Sequence, residues 1–91
     1  MNFAFKTTSS FRRALAKLSP TQKRSAKKAF QLFKEDPFHP RLRTHKIHRL
    51  SSLYNKTIYS VWIESDLRAV FYIEGRAIVS VDIGTHAIYR S

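Results

Sequence analysis

The 91-residue sequence contains no cysteine and only two glycines. Without cysteine the chain has no disulfide, no thiolate nucleophile and no thiolate metal site. With glycine only at Gly75 and Gly84, it cannot form the glycine-rich phosphate loop of a P-loop enzyme, and it also lacks the nucleophile-elbow motif of a serine hydrolase. No apolar run is long enough for a signal peptide or a membrane span, so the sequence predicts a cytoplasmic protein.

Acidic residues are also scarce. The chain has 6 Asp and Glu against 17 Lys and Arg, for a formal net charge of +11. Residues 1–50 hold 13 of the basic residues and only two acids, whereas residues 51–91 hold four of each. This concentration of positive charge is typical of proteins that bind a polyanion. The charge alone leaves open whether the partner is RNA, DNA, a ribosome or an acidic protein, or whether the basic surface only keeps the protein soluble.

Hydrophobic periodicity predicts one α+β domain over residues 1–91, with an N-terminal strand, a helical hairpin and then a four-stranded antiparallel sheet. The first strand is expected at residues 2–6. The first helix is expected to begin near Ser9 or Ser10, either of which can cap it. The second helix is expected from a Ser19 capping box to about residue 34, and its link to the first helix is so short that the two must be antiparallel.

The four later strands are predicted from residue 45 onward. Residues 45–50 (HKIHRL) are expected to form a basic strand, and residues 51–56 a turn or loop. Alternating apolar residues between positions 59 and 83 then predict three strands, with breaks short enough for antiparallel hairpins. Trp62 is expected in the core. The last strand is expected to place Ala77, Val79, Val81 and Ile83 on one face.

The side chains suited to chemistry are imidazoles, phenols and cations. The histidines at positions 39, 45, 48 and 86 lack the compact spacing of zinc ligands, so no metal or cofactor is predicted. What remains fits metal-free RNA cleavage, which needs a base for the ribose 2′-hydroxyl, an acid for the leaving 5′-oxygen and cations for the transition-state charge. The residues that suit these parts are His45 with Lys46, Arg68, and His86 with Tyr89. Periodicity alone leaves open whether they converge.

At these residues the sequence resembles the RelE/ParE superfamily of bacterial and archaeal type II toxins, nearer its RNA-cleaving RelE, HigB and YafQ-like branches. The resemblance covers nearly the whole chain. Its segments are the capped helical hairpin, Asp36-Pro37…Leu42…His45-Lys46-Ile47, Asp66-Leu67-Arg68-Ala69-Val70-Phe71 and Ile83-Gly84-Thr85-His86-x-x-Tyr89. The resemblance implies a RelE-like, microbial-ribonuclease-like fold and cleavage of mRNA in the ribosomal A site. The expected partners are a cognate antitoxin, the ribosome and mRNA, with no membrane, and the free chain is expected to be a monomer that forms a hetero-oligomer with its antitoxin.

Position by position, the resemblance implies catalytic roles for His45, Asp66 and His86. It places a phosphate-stabilising arginine at Arg68 and an aromatic residue that stacks on or activates the substrate near Tyr89. Lys46 is expected to contact the phosphate. Contacts to backbone phosphates are expected from seven further basic residues: Lys23, Arg24, Lys27, Lys28, Arg41, Arg43 and Arg49.

The leading hypothesis is therefore a toxin that acts as a ribosome-dependent mRNA endoribonuclease. One alternative is a non-enzymatic inhibitor of DNA gyrase like the ParE branch, which needs a partner surface but no imidazole. The other is an inactive toxin homologue that only binds its antitoxin. Trp62 stands where the YafQ-like branch has another histidine, and this substitution is the reason for the last alternative.

Overall fold

The structure is a computed structural model that describes residues 3–85 and residue 88. In chain order its elements are β1 (Ala4–Thr7), α1 (Ser9–Ala16), α2 (Pro20–Glu35), a 3₁₀ turn (Pro40–Leu42), β2 (His45–Lys46), α3 (His48–Tyr54), β3 (Tyr59–Glu64), β4 (Leu67–Glu74) and β5 (Ala77–Gly84). The predicted α+β class is confirmed, as are the N-terminal strand and the helical hairpin. The strands form one sheet in the order β1-β5-β4-β3-β2. It is mixed rather than wholly antiparallel, because β1 pairs with β5 in parallel.

Side-chain caps fix where the two hairpin helices begin. The predicted capping box of α2 is present, since the Ser19 hydroxyl accepts from the Gln22 amide while the Gln22 side chain accepts from the Ser19 amide. The cap of α1 is Thr8 rather than Ser9 or Ser10. Its hydroxyl accepts from the Phe11 amide and donates to the Val81 carbonyl, so the same side chain also ties the helix to β5.

The sheet has a hydrophobic cluster on each face. The hairpin face, covered by α1 and α2, buries a cluster that includes Phe11, Phe33 and Phe71. The rings of Phe33 and Phe71 lie 4.9 Å apart in an edge-to-face arrangement. The opposite face, covered in part by α3, buries Leu50, Ile58, Val70 and Val81.

The predicted basic strand at residues 45–50 is wrong beyond Lys46, and the predicted loop at residues 51–56 is largely helix α3. Burial of Leu50 on the opposite face requires helical rather than extended spacing after Ile47. The Ser51 hydroxyl donates to the Ile47 carbonyl and accepts from the Ile58 amide, which fastens the helix to the start of β3. The helix ends at Asn55, whose left-handed backbone (φ 56°) suits an asparagine at this position.

The prediction that β5 has a single apolar face is wrong, because the strand contains a bulge. The register against β4 shifts between the pairs Val70–Asp82 and Phe71–Ser80. As a result, Val81 belongs to the cluster under α3, whereas Ile83 belongs to the cluster under the hairpin. An extra residue of this kind reverses the side-chain alternation along the strand. In the part of the chain that the structure describes, no helix combines the length and the apolarity that a membrane crossing requires.

Candidate functional site

Strand register places several polar side chains together on the opposite face, beside the area that α3 covers. His45 pairs with Ser60 on β3, and Trp62 pairs with Arg68 on β4. Directly paired residues point to the same side of a sheet, as do residues two apart. Arg68 therefore shares the face of Val70, which packs under α3. From strand spacing and rise, the Cα atoms of His45 and Arg68 are about 12 Å apart, a gap that their side chains can narrow around a phosphate.

The imidazole of His45 has a defined tautomer. Its Nδ1 lies 2.8 Å from the carbonyl oxygen of Arg43, and the residue is exposed. A carbonyl oxygen only accepts, so Nδ1 carries the proton and Nε2 of the neutral ring keeps its lone pair. The carbonyl is aimed by the left-handed backbone of Arg43, which has φ 50°. The sequence around His45 thus presents an oriented proton acceptor to solvent.

Arg68 lies at the start of β4, opposite Gly84 on β5. Its side chain is only 17% exposed, while that of its ion-pair partner Asp66 is 57% exposed. The Arg68 Nη2 to Asp66 Oδ1 distance of 3.4 Å is long for a charge-assisted hydrogen bond. A guanidinium that the fold largely covers is well placed to stabilise an anion arriving on this face.

Trp62 joins the strand of the site to the loop that carries His45. Its indole Nε1 donates to the Ser65 carbonyl at 2.9 Å, and the guanidinium carbon of Arg43 lies 4.6 Å from its ring centroid. Trp62 is half-buried and packs in neither buried cluster, so the predicted core position is wrong. Arg43 consequently has two functions in the site, because its carbonyl orients His45 and its guanidinium covers Trp62.

The other predicted site residues are not all brought to this face. Asp66 lies in the turn before Arg68 and pairs with it. Lys46 pairs with Tyr59, which packs against the hairpin-side cluster, so the Lys46 side chain starts from the other face of the sheet. His86 and Tyr89 lie outside the described residues.

The seven predicted phosphate contacts are all exposed. Four of them are on α2, and the other three are distributed over the 3₁₀ turn, the residue after it and α3. The two ion pairs found among residues 3–85 are Lys56–Glu74 and Arg68–Asp66, so none of the seven is neutralised by one. This surface therefore keeps its charge for an external anion.

Asp82 is a residue of the site region that sequence reasoning missed. It follows the bulge in β5, is half-buried, and accepts a hydrogen bond from the Ile83 amide at 2.8 Å. Burial raises the pKa of Asp82, and burial together with the nearby Asp82 charge raises the pKa of Tyr54 on α3. The only sequence signal was an acid inside an otherwise apolar strand. Over the described ranges, no group of three or more His, Asp or Glu side chains is arranged to hold a metal ion.

No protein-family model matches the chain, and no curated protein matches it in sequence. Solved structures do match in fold. YafQ from E. coli strain BL21(DE3) superposes with a TM-score of 0.71 at 14% identity, covering 98% of this chain and 99% of that one. The archaeal RelE of the RelE–RelB complex from Pyrococcus horikoshii OT3 gives 0.70 at 13% identity, covering 93% and 96%. A chain of the E. coli DinJ–YafQ toxin–antitoxin complex gives 0.69 at 14% identity, covering 97% of each.

These superpositions run over nearly the full length of every chain compared. The protein therefore has the fold of the RelE and YafQ toxins, and the resemblance in fold that the sequence predicted is confirmed.

Proposed function

We propose that the protein is the toxin of a type II toxin–antitoxin pair and that it cleaves mRNA in the ribosomal A site without a metal. The observation that supports this most directly is the pairing of an oriented base, His45, with a largely covered cation, Arg68, on one face of a RelE/YafQ-type fold. A binding inhibitor needs neither an imidazole with a fixed tautomer nor a cation aimed at the same face.

In the proposed reaction, Nε2 of His45 takes the proton of a ribose 2′-hydroxyl. The 2′-oxygen attacks the adjacent phosphorus, and the bond from phosphorus to the 5′-oxygen of the next nucleotide breaks. Arg68 stabilises the added negative charge on the phosphoryl oxygens. His86 and Tyr89 are the proposed source of the proton that the leaving 5′-oxygen takes, on the basis of the resemblance alone. The products are a 2′,3′-cyclic phosphate and a free 5′-hydroxyl.

The remaining expectations follow from the same proposal. Residues 1–91 act as one toxin domain in the cytoplasm, as a monomer until a cognate antitoxin binds. The RelE–RelB and DinJ–YafQ complexes are the support for the antitoxin. Lys46 and Asp66 are proposed to act in the catalytic site. Seven exposed cations are proposed to contact mRNA and ribosomal RNA: Lys23, Arg24, Lys27, Lys28, Arg41, Arg43 and Arg49. The seven cations are exposed, and none of them forms an ion pair over residues 3–85, which supports this role.

The test is primer extension on a reporter mRNA in a purified translation system, with a separate analysis of the product ends. The wild-type chain is expected to cut within A-site codons and to leave cyclic phosphate ends. His45→Ala is expected to lower the cleavage rate by about 10²–10⁴-fold, the usual contribution of a general base. His48→Ala is the matched control, because His48 is an exposed histidine three residues away at the start of α3. The rate of this control is expected to stay within about twofold of the wild-type rate, because a surface substitution typically changes free energies by only a few tenths of a kcal/mol.

Absence of A-site cuts by a folded wild-type chain would contradict the proposal, and so would equal rates for His45→Ala and His48→Ala. The substitution at Trp62 favours one rival, an inactive homologue that only binds an antitoxin. Expression of the chain alone separates the two, since an active toxin stops growth and an inactive homologue does not. A gyrase supercoiling assay tests the ParE-like alternative in the same way.

A further inference from the structure

A cleft of about 360 Å³ opens between α2 and the end of β3, on the hairpin side of the sheet. Leu32 and Ile63 contribute apolar surface, whereas Lys28, Arg41 and Glu64 contribute charge. Trp62 lines the same cleft. Its size is at the lower end of the range of small-molecule sites, and its mixed lining is of the kind that binds an apolar ring with polar edges.

Trp62 is the residue that links the cleft to the proposed cleavage site. It is the cross-strand partner of Arg68, and its ring contacts the guanidinium of Arg43, whose carbonyl orients His45. A single strand of RNA with its scissile phosphate beside Arg68 reaches the cleft by crossing the edge of the sheet at Trp62, which places a neighbouring nucleotide there. Proteins that read single-stranded RNA take unstacked bases into such pockets and contact their hydrogen-bonding edges.

The charges in the cleft point to the chemistry of the ligand. The carboxylate of Glu64 makes no hydrogen bond and no ion pair with the part of the chain that the structure describes. Lys28 and Arg41 are exposed cations on the same lining, and neither is neutralised there by an ion pair. The ligand should therefore combine an anionic group with hydrogen-bond donors along one of its edges. A nucleotide does so, with its phosphate for the cations and its base for the carboxylate.

Guanine is the base that matches Glu64 best. Its N1–H and N2–H donors lie side by side, so they can meet both oxygens of a carboxylate in a bidentate arrangement. Adenine and cytosine offer a single amino group on this edge, and uracil offers a single ring N–H. An acidic peptide fits less well, because it would bring further carboxylates against Glu64.

We propose that this cleft binds the nucleotide that neighbours the cleaved one in single-stranded RNA, with a preference for guanine. Glu64 accepts the hydrogen bonds of the base, while Lys28 and Arg41 hold a phosphate. The proposal rests on the proposed function for the identity of its substrate, but the binding itself requires no cleavage.

The test uses Trp62, the only tryptophan of the chain, as a fluorescent reporter inside the cleft. The protein is titrated with GMP, IMP, AMP and UMP at constant ionic strength. GMP is expected to bind about tenfold more tightly than AMP or UMP, the size of discrimination that a bidentate base contact gives. IMP lacks the N2 amino group and is expected to bind with intermediate affinity. Glu64→Gln should abolish the preference for GMP.

Two lysine variants complete the design. Lys28→Ala should weaken the binding of all four nucleotides several-fold, because it removes a phosphate contact. Lys34→Ala is the charge-matched control, since Lys34 is also on α2 but lines a different pocket. Its nucleotide affinities should stay within about twofold of the wild type. Circular dichroism spectra establish that each variant is folded.

Three results would overturn the proposal. The first is no saturable fluorescence change with any nucleotide in the folded wild type. The second is equal affinity for GMP and UMP, or equal losses in Lys28→Ala and Lys34→Ala. The third is saturable binding of a glutamate-rich peptide in place of nucleotides, which would assign the cleft to a protein partner. Since no ribosome takes part, a negative titration leaves A-site cleavage standing, and a protein that fails to cleave can still bind GMP.

Discussion

The contact between Arg43 and Trp62 is expected to couple the two segments that carry the proposed base and the proposed phosphate-binding cation. Arg43 belongs to the connection that precedes His45, and Trp62 is paired with Arg68. Replacement of either partner should therefore loosen both segments. A double-mutant cycle with Arg43→Ala and Trp62→Ala isolates the contribution of the contact itself.

The magnitude follows from the geometry. With Cζ of Arg43 at 4.6 Å from the ring centroid and Arg43 exposed, the cation–π contact should contribute about 0.5–1 kcal/mol. The hydrogen bond from Trp62 to the Ser65 carbonyl adds about 1 kcal/mol. Including lost packing at a half-buried site, Trp62→Ala should cost about 2–3 kcal/mol, below the value for a fully buried tryptophan. The coupling term of the cycle should equal the cation–π part, about 0.5–1 kcal/mol.

The assay is urea unfolding followed by far-ultraviolet circular dichroism, because Trp62→Ala removes the only tryptophan fluorophore. A second cycle that pairs Trp62 with Arg49 is the control. Arg49 is an exposed arginine on α3, and no contact between it and Trp62 is found over residues 3–85. Its coupling should be near zero. A coupling below about 0.3 kcal/mol for Arg43 and Trp62, within the usual error of additivity, would refute the reasoning.

Three further predictions concern stability. Phe33→Ala should cost about 3–5 kcal/mol in urea unfolding, because a fully buried ring is removed from three edge-to-face contacts, whereas Phe38→Ala should cost less than about 1 kcal/mol at a 46% exposed site. Gly84→Ala would place a Cβ 2.8 Å from Cγ2 of Ile88, so it should cost about 1–3 kcal/mol, and less when Ile88→Ala is already present. Burial raises the pKa of Asp82, so the folded state binds its proton more tightly than the unfolded state does. Stability should therefore fall as the pH rises through the range just above the ordinary carboxyl pKa of 3.8, and Asp82→Asn should flatten this dependence in a pH series of unfolding curves; an unchanged slope would contradict it.

The elements that sequence reasoning predicted well are those with local signals. The capping box at Ser19 satisfies amides within one helical turn, so its geometry follows from the sequence alone. The hairpins of β3, β4 and β5 follow from apolar alternation and short polar breaks, which the structure narrows to two residues each. One break contains Gly75 with φ 60°, and the other contains Ser65 with φ 42°. Left-handed residues of this kind are what tight hairpin turns require.

The elements that were missed depend on contacts between distant residues. Helix α3 contains two serines and little apolar periodicity, and it is held by Leu50 against Val70 and Val81 from the other end of the chain. The bulge in β5 is likewise invisible in a pattern of alternating apolar residues, because it is set by the pairing with β4. Both errors arise where tertiary packing overrides a local preference.

The site shows the same division. Residue chemistry and the resemblance singled out His45 and Arg68, and the register brings both to one face. The predicted strand at residues 45–50 already implied that Lys46 starts from the face opposite His45, and the pairing of Lys46 with Tyr59 agrees with this. The tautomer of His45, by contrast, could not be predicted from the sequence, since it depends on the backbone angle of Arg43.

The resemblance implies a histidine of the YafQ-like branch at the position of Trp62, and this difference bears on the proposed mechanism in a specific way. An imidazole at that position would offer a second titratable group on the face, whereas an indole offers none. The indole instead holds Arg43, and the Arg43 carbonyl fixes the proton of His45 on Nδ1. On the proposed function, the substitution therefore concentrates the base in one residue and improves its orientation, rather than removing it. An inactive homologue would have no need of a backbone hydrogen bond that holds the proton of His45 on Nδ1 and leaves Nε2 as the acceptor.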